Sequence, residues 1–191
     1  MVTGFFSSAR LGEILSKSES SFDPTSDLLW GQIQLRKGQG GNSVLIHIRI
    51  PKSANEGGRF LDLFPFPEQG YCPVKVLQEL HKELGLRGGV DPQQPVFRFA
   101  SGKNLTPAKL NIILQEMLQD IFVPGENSIS CHSLRAGIPS ALSKFPDLVS
   151  DEEIKGMGGW NSDAVDRYTR LPEARRRATF QKAIFALSSV R

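Results

Sequence analysis

The chain has 191 residues, of which 39% are hydrophobic and 23% charged, and its formal net charge is +3. This is the composition of a folded domain with one substantial core, and no internal repeat or low-complexity tract interrupts it. No apolar run reaches about 18 residues and no signal-like segment opens the chain, so we expect neither membrane insertion nor secretion. The small positive excess is compatible with a polyanionic partner but does not identify one.

The two cysteines are Cys72 and Cys131, which stand far apart without CxxC spacing or clustered histidines. A disulfide framework or a zinc site requires a different pattern. We therefore expect free thiols and a protein that works inside a cell.

The first half of the chain predicts a helix, a loop and three strands. The segment from Thr3 to Lys17 predicts a helix with an apolar side, and Arg10 and Glu13 share another of its faces. Residues 16 to 27 are polar and contain Pro24, which favours a surface loop. Three apolar, β-branched runs separated by glycine-rich turns then predict a small antiparallel sheet. These runs are Leu28 to Leu35, Val44 to Ile50 and Arg59 to Phe64.

The second half of the chain predicts helices. Pro73 and Pro107 stand where a first helical position is expected, and apolar residues recur at helical spacing after each of them. The first of these helices should end at Gly88 and Gly89. Further helical patterns span Ser133 to Phe145, Asp151 to Met157, Ala164 to Thr169 and Pro172 to Val190. This order predicts an α+β fold that is mainly helical, with a small three-stranded antiparallel sheet.

Several polar and aromatic residues follow one another in a pattern that carries chemistry. His132 and Arg135 stand three residues apart at a predicted helix start, so both side chains can converge on one ligand. Lys52 stands in the turn PKSANEGG between two predicted strands. In chain order the set is Arg10, Glu13, Lys52, His132, Arg135, Trp160 and Tyr168.

In this order the residues resemble the catalytic domain of the tyrosine recombinase, or phage integrase, family. That domain carries an Arg-x-x-Glu helix, a hairpin lysine, a His-x-x-Arg motif, a His or Trp, and a tyrosine. The match covers nearly the whole chain, so the resemblance implies a single catalytic domain over residues 1–191. Because the first predicted helix begins at residue 3, we expect a longer parent protein with further N-terminal helices and an N-terminal DNA-binding domain.

Three features depart from the family pattern, and the first is the long loop before the sheet. Trp160 precedes Tyr168 by eight residues, one fewer than is common, which resembles the recombinases of some eukaryotic mobile elements. Pro139 stands inside the predicted helix after Arg135, where it removes a backbone donor and predicts a kink.

The resemblance implies that Tyr168 attacks a phosphodiester and forms a covalent protein-DNA bond. A side-chain nucleophile that can later leave preserves the energy of the broken bond. In-line attack builds negative charge on the phosphate oxygens, and two guanidinium groups, Arg10 and Arg135, can hold those oxygens bidentately. Glu13 would support the clamp arginine rather than react.

The remaining residues of the set serve proton transfer and phosphate binding in this scheme. The departing 5′ oxygen is a poor leaving group unless it is protonated, and Lys52 is the candidate acid. His132 either accepts the tyrosine proton or donates to a phosphate oxygen, and the sequence leaves both roles open. Trp160 can donate its indole N–H to the phosphate. The scheme requires no metal and no cofactor.

Each residue of this set also has an ordinary structural explanation when it is taken alone. His132 would more often be a capped or core histidine, Arg10 a surface ion-pair residue and Lys52 a solvated turn lysine. Trp160 would ordinarily anchor a core, and Tyr168 would be a half-buried aromatic residue. Their shared order and spacing favour the catalytic interpretation.

A basic, amphipathic helix is predicted at the C-terminus. Arg175 to Arg177 precede an apolar stripe of Phe180, Ile184 and Leu187. A solvated charged face is the plainer interpretation. The resemblance implies that this helix packs on a neighbouring protomer, in a homo-oligomer, a tetramer, assembled on DNA.

The sequence therefore predicts a site-specific DNA recombinase or integrase that works through a 3′-phosphotyrosyl intermediate, serving a mobile element. Its partner would be double-stranded DNA and not a membrane. The protein would act inside the cell, in the nucleus of a eukaryote or in the cytoplasm or nucleoid of a prokaryote. Two alternatives stay open at this point. One is a type IB topoisomerase that relaxes DNA, and the other is a DNA-binding relic without catalysis.

Overall fold

The structure is a computed structural model, and it describes residues 2–38, 41–49, 58–65, 72–86, 88–118, 130–143, 147–150, 153–154 and 177–182. Its helices are α1 (Val2–Ser7), α2 (Leu11–Ile14), α3 (Pro73–Leu86), α4 (Pro107–Leu118) and α5 (Cys131–Leu142). Its strands are β1 (Ile33–Gly38), β2 (Gly41–Ile48) and β3 (Arg59–Leu63). The predicted α+β class is confirmed.

The three strands form one antiparallel sheet in the order β1-β2-β3. Ile46 of β2 pairs with Ile33 on one side and with Leu61 on the other. Alternate residues of β2 point to one face, and on that face Val44 and Ile46 are both 0% exposed. The helices cover this face, and the pairing of β2 with β3 extends to Ile48 and Arg59.

The predicted strand from Leu28 to Leu35 is wrong in its first half. Residues Trp30–Gln32 form a 3-10 turn, and Leu29 bridges Pro95 instead of joining the sheet. The backbone N–H of Trp30 donates to the carbonyl of Gln94 at 3.1 Å. This segment therefore satisfies its backbone groups on the loop that precedes α4, a tertiary contact that overrides the local β preference.

The predicted helix from Thr3 to Lys17 is wrong in its middle, because the chain breaks between α1 and α2. Ser8 lies in the left-handed region with a φ of 50°. The N–H of Ala9 donates to the Ser7 hydroxyl oxygen at 3.2 Å, so a side chain replaces a helical bond there. The result is two short helices, and Arg10 is the residue immediately before the second helix.

Both proline-initiated helices are confirmed, since α3 begins at Pro73 and α4 at Pro107. The glycine break after α3 is also confirmed, with φ values of 114° at Gly88 and 107° at Gly89. A backbone in this region strongly favours residues without a Cβ, which is why the helix ends here.

Helix α5 begins two residues earlier than the predicted Ser133, and Pro139 lies inside it. Residues 153 to 154 and 177 to 182 are helical as well, within two of the predicted helical segments. The predicted helix from Ala164 to Thr169 lies outside the described residues. Over the described part of the chain, no helix has the length and apolar character needed to cross a membrane.

The core lies between the buried sheet face and the helices. Ile138 and Leu142 of α5 and Leu77 of α3 are each 0% exposed and belong to the same cluster as the β2 residues. Burying each such aliphatic side chain contributes about 1.5 to 3 kcal/mol of hydrophobic free energy. Helices α1 and α2 both lie against α5, so the segment that contains Arg10 and the helix that contains Arg135 are neighbours.

Candidate active site

Arg10 is the residue immediately before α2, and its backbone is extended, with φ −66° and ψ 133°. Its N–H donates to the Glu13 carboxylate at 2.7 Å. Glu13 also donates its own N–H to the Arg10 carbonyl at 2.8 Å. A guanidinium has no acceptor atom and cannot complete the cap, so the exposed Arg10 side chain takes no part in it. The helix start thus fixes the Arg10 backbone and leaves its guanidinium facing solvent.

The three residues before Arg10 are buried in the domain. Ser7 is 5% exposed, Ser8 is 0% and Ala9 is 1%, so the chain enters the exposed Arg10 position from within the core. The Ser8 hydroxyl has no hydrogen-bond partner within the described part of the chain. Holding a non-glycine residue in the left-handed region also costs free energy, and such strain often accompanies functional positions.

Arg135 lies in the second turn of α5 and is only 9% exposed. The start of α5 is held by two contacts: the Cys131 N–H donates to the Asn111 side-chain oxygen at 3.1 Å, and the Ser130 N–H donates to the Ser133 hydroxyl at 3.2 Å. The Cys131–Asn111 bond ties the first turn of α5 to α4, and the Ser130–Ser133 bond caps the helix locally.

Helices α1 and α5 approach each other at a glycine. A Cβ placed on Gly137 would collide with the ring of Phe5. The two helix backbones can come this close only because Gly137 has no side chain, and Gly137 is two residues after Arg135. Since α2 also lies against α5, the structure brings the elements that carry Arg10 and Arg135 together.

The other predicted catalytic residues are His132, Lys52, Trp160 and Tyr168. His132 is the second residue of α5, one helical turn before Arg135, as the motif predicts, and its side chain is outside the description. Lys52, Trp160 and Tyr168 lie outside the described residues, so their places in the site stay predictions.

The flanks of the Lys52 loop are described. The last paired residues of the hairpin are Ile48 and Arg59. Gly58 has a φ of 65°, and a Cβ there would collide with the Ile48 carbonyl. A residue other than glycine would therefore push the two strands apart where the loop leaves the sheet.

The flanks of the segment that contains Tyr168 meet each other. The Glu153 carboxylate accepts hydrogen bonds from the Thr179 hydroxyl at 3.2 Å and the Lys182 ammonium at 3.4 Å. Its other oxygen accepts the Ser150 N–H at 2.9 Å. Burial raises the pKa of Glu153, but the hydrogen bonds and the Lys182 charge outweigh it, and the net pKa is below its ordinary value.

Phe180, the first residue of the C-terminal apolar stripe, packs within its own chain, and the predicted docking of the stripe on a neighbour stays a prediction. Phe180 is 3% exposed and packs against Phe6 and Phe64 of its own domain, with ring centroids 5.9 and 5.6 Å apart. The Arg177 guanidinium lies 4.6 Å from the Phe64 ring centroid, a cation–π contact within the same chain. Ile184 and Leu187 lie outside the described residues.

Two residues that shape the site were missed in the sequence. Gly137 stands inside a helical pattern just after an arginine, and an isolated glycine there is a recognisable signal of close packing. Ser8 gives no such signal, because serine is compatible with a helix interior and nothing local marks its left-handed backbone.

Comparison with protein-family models finds no matching family, and comparison with curated proteins finds no match. Among solved structures, the chain is similar to the XerH site-specific recombinase bound to its difH substrate in a pre-cleavage complex. The TM-score is 0.53 at 18% identity, and the alignment covers 93% of this chain and 43% of that chain. The chain therefore spans less than half the length of XerH. Its fold is that of a tyrosine recombinase catalytic domain, as the residue pattern predicts.

Proposed function

We propose that the chain breaks and rejoins double-stranded DNA through a 3′-phosphotyrosyl intermediate, as a site-specific recombinase or integrase does. The observation that carries the proposal is the packing of α2, which begins just after Arg10, against α5, which holds Arg135, within a recombinase-like fold. XerH is described as a site-specific recombinase bound to a DNA substrate, which supports DNA as the partner here.

The two arginines differ in a way that suits a phosphate clamp. Arg135 is 9% exposed and leaves a helix whose first turn is capped, so it can serve as the fixed half of the clamp. Arg10 is exposed at a backbone position held by Glu13, so its guanidinium can close on a ligand that arrives from solvent. Two guanidinium groups acting on one phosphodiester stabilise the charge that builds up in the transition state.

The other roles follow from the family resemblance and belong to the proposal. Tyr168 is the nucleophile, Lys52 protonates the departing 5′ oxygen, and Trp160 donates to the phosphate. His132, one turn from Arg135, accepts the tyrosine proton or donates to a phosphate oxygen. All of these groups belong to the chain, and the scheme proceeds without a resident metal or cofactor.

Assembly on DNA as a tetramer is also part of the proposal, together with service to a mobile element. Because Phe180 is buried in its own domain, the contacts between protomers would have to come from other residues, including those after Lys182. Sedimentation of the chain with and without DNA measures this assembly directly.

The test of the function is incubation with duplex DNA that carries a nick just 3′ of the scissile phosphate, where loss of a short fragment traps any covalent adduct. Arg135→Ala and Arg10→Ala should each slow adduct formation by about 10²- to 10³-fold, the usual loss for one such donor. Arg36→Ala removes an equal charge from β1 and should leave the rate unchanged. A loss below about tenfold in both clamp variants would contradict the clamp.

Product analysis on supercoiled substrates with two sites then separates recombination from simple relaxation. Recombinant circles support the proposal. Relaxed topoisomers without recombinants would favour a type IB topoisomerase activity, and DNA binding without any adduct would favour a non-catalytic relic.

A further inference from the structure

We propose that Asn111 of α4 is a positioning residue for Arg135: by accepting the first backbone N–H of α5, its side chain fixes the helical turn over which the Arg135 side chain extends. The inference rests on the proposed function, in which Arg135 binds the scissile phosphate. It assigns a part in the cleavage reaction to α4, a helix that carries none of the predicted site residues.

The contact that carries the inference joins the two helices at the start of α5. The N–H of Cys131, the first residue of α5, donates to the Asn111 side-chain oxygen at 3.1 Å. The first four N–H groups of a helix have no partner within the helix, so an acceptor from elsewhere must satisfy them. Here the acceptor belongs to a residue 20 positions earlier, which makes this cap a tertiary contact.

A second contact joins α4 to the same residue. The Cys131 thiol donates to the Pro107 carbonyl at 3.7 Å. Pro107 and Asn111 stand four residues apart and therefore lie on the same face of α4. The backbone and the side chain of Cys131 thus both end on this one face, which restricts where α5 can begin.

Helix α4 is itself anchored in the domain. Leu110 and Leu114 are 4% and 6% exposed and belong to the core cluster. The Thr106 hydroxyl accepts the Lys109 N–H at 3.2 Å, which caps the start of α4. Asn111 therefore presents its oxygen from an anchored helix, and the cap transmits that position to the first turn of α5.

Arg135 lies one helical turn after the capped residue. It follows Cys131 by four positions, and residues at this spacing share a face of the helix. Helical side chains lean towards the N-terminus, so the Arg135 side chain covers the turn that begins at Cys131. Both residues are buried, Cys131 at 8% and Arg135 at 9% exposure. A shift of this turn therefore moves the surface against which the guanidinium is held.

The rest of α5 is held independently of Asn111. Ile138 and Leu142 are each 0% exposed in the core, and Gly137 packs against the ring of Phe5. Loss of the cap should therefore displace the first turn while the remainder of the helix stays packed. Positioning and folding can be separated by experiment for this reason.

The charge of the scissile phosphate provides a readout that a purely structural role of Asn111 would not change. A guanidinium clamp accelerates the reaction because it offsets negative charge on the non-bridging oxygens in the transition state. A methylphosphonate carries a neutral methyl group in place of one of these oxygens, while the same phosphorus–oxygen bonds form and break. A variant that acts through Arg135 should therefore lose less on this substrate than on ordinary DNA.

The rate of adduct formation is measured on nicked duplexes of both kinds, with the full chain in saturating excess. Asn111→Ala should be about 10- to 100-fold slow on the ordinary phosphodiester, because misplacing a positioned group by about 1 Å can cost about 10²-fold. On the methylphosphonate, it should be within about threefold of the unaltered chain, since the charge that the clamp offsets is gone. Arg135→Ala should show the same preference for the neutral substrate.

Three further variants make the test specific. Asn111→Asp keeps an acceptor oxygen and should recover most of the rate on ordinary DNA. Asn111→Ala combined with Arg135→Ala should be no slower than Arg135→Ala alone, since both changes act through one group. Ser140→Gly weakens α5 at an exposed position outside its first turn and should keep the rate of the unaltered chain on both substrates.

An equal loss in Asn111→Ala on both substrates would overturn the inference, because the residue would then act on the folding of the domain. An unchanged rate on ordinary DNA would overturn it as well, and so would an Asn111→Asp variant as slow as Asn111→Ala. If the unaltered chain forms no adduct on either substrate, the proposed function itself fails, and the inference fails with it.

Discussion

The carboxylate of Glu13 accepts the backbone N–H of Arg10 at 2.7 Å, so the Arg-x-x-Glu pattern is the start of a helix as well as a pair of charges. The acidic residue at the third helical position also lies at the positive end of the short helix dipole. The spacing of the two residues therefore has a structural cause: Glu13 determines where α2 begins and so where the Arg10 side chain leaves the backbone.

Removing this cap should both destabilise the domain and slow DNA cleavage. Glu13→Ala is expected to lower the free energy of unfolding by about 1 kcal/mol, as loss of a capping interaction does, while Glu13→Gln keeps an acceptor oxygen and should lose less. Urea denaturation measures the effect. Glu79→Ala is the matched control, since Glu79 is 63% exposed in an ion pair within α3. Equal effects of Glu13→Ala and Glu79→Ala would contradict the assignment.

Ser8→Gly should stabilise the domain by about 1 kcal/mol, because glycine occupies the left-handed region without the Cβ penalty that serine carries. The substitution also removes a buried hydroxyl that has no partner in the described part of the chain. Ser140→Gly within α5 should have the opposite sign and cost about 0.5 to 1 kcal/mol. Thermal unfolding of the two variants compares them directly, and a destabilised Ser8→Gly would show that the serine side chain is needed there.

Phe180→Ala should destabilise the domain by about 3 to 5 kcal/mol, since truncating a buried aromatic side chain leaves a cavity between Phe6 and Phe64. Phe60 is 55% exposed, and Phe60→Ala should cost much less. If the two variants unfold at the same denaturant concentration, Phe180 is not part of the core, and docking on a neighbour regains support.

Glu153 should make the stability of the domain depend on pH. Its folded-state pKa is below its ordinary value of 4.5, so its contribution is present above that pH and is lost as the pH falls through the lowered pKa. Glu153→Gln should therefore cost about 1.5 to 3 kcal/mol at neutral pH, the range for hydrogen bonds to a charged group, and progressively less below pH 4.5. Urea denaturation across this range checks it, and a cost that does not vary with pH would contradict the role of the charge.

Local signals predicted the parts of the fold that depend on local chemistry. Pro73 and Pro107 begin helices because a proline lacks only a donor that the first helical turn leaves unused, and an apolar, β-branched run bounded by glycine-rich turns identified β2. The turn at Trp30 was missed because its partners lie beyond residue 90 in the chain. The apolar stripe that contains Phe180 was recognised, but periodicity does not say which surface covers it.

The candidate site likewise combines features that local sequence predicts with features that depend on tertiary packing. Residue order predicts Arg10 and Arg135 as site residues, and the structure places α2, which begins just after Arg10, against α5, which contains Arg135. The close approach at Gly137 and the strained backbone at Ser8 depend on how α1 meets α5, which is a property of the packed domain and not of either segment alone.

The most direct test of the central claim is to trap the adduct on nicked duplex DNA, digest it and identify by mass spectrometry the residue that carries the 3′-phosphate. We predict a phosphotyrosyl bond at Tyr168, and we expect Tyr168→Phe to bind the duplex but to form no adduct. An adduct at another residue, or an undiminished adduct in Tyr168→Phe, would contradict it.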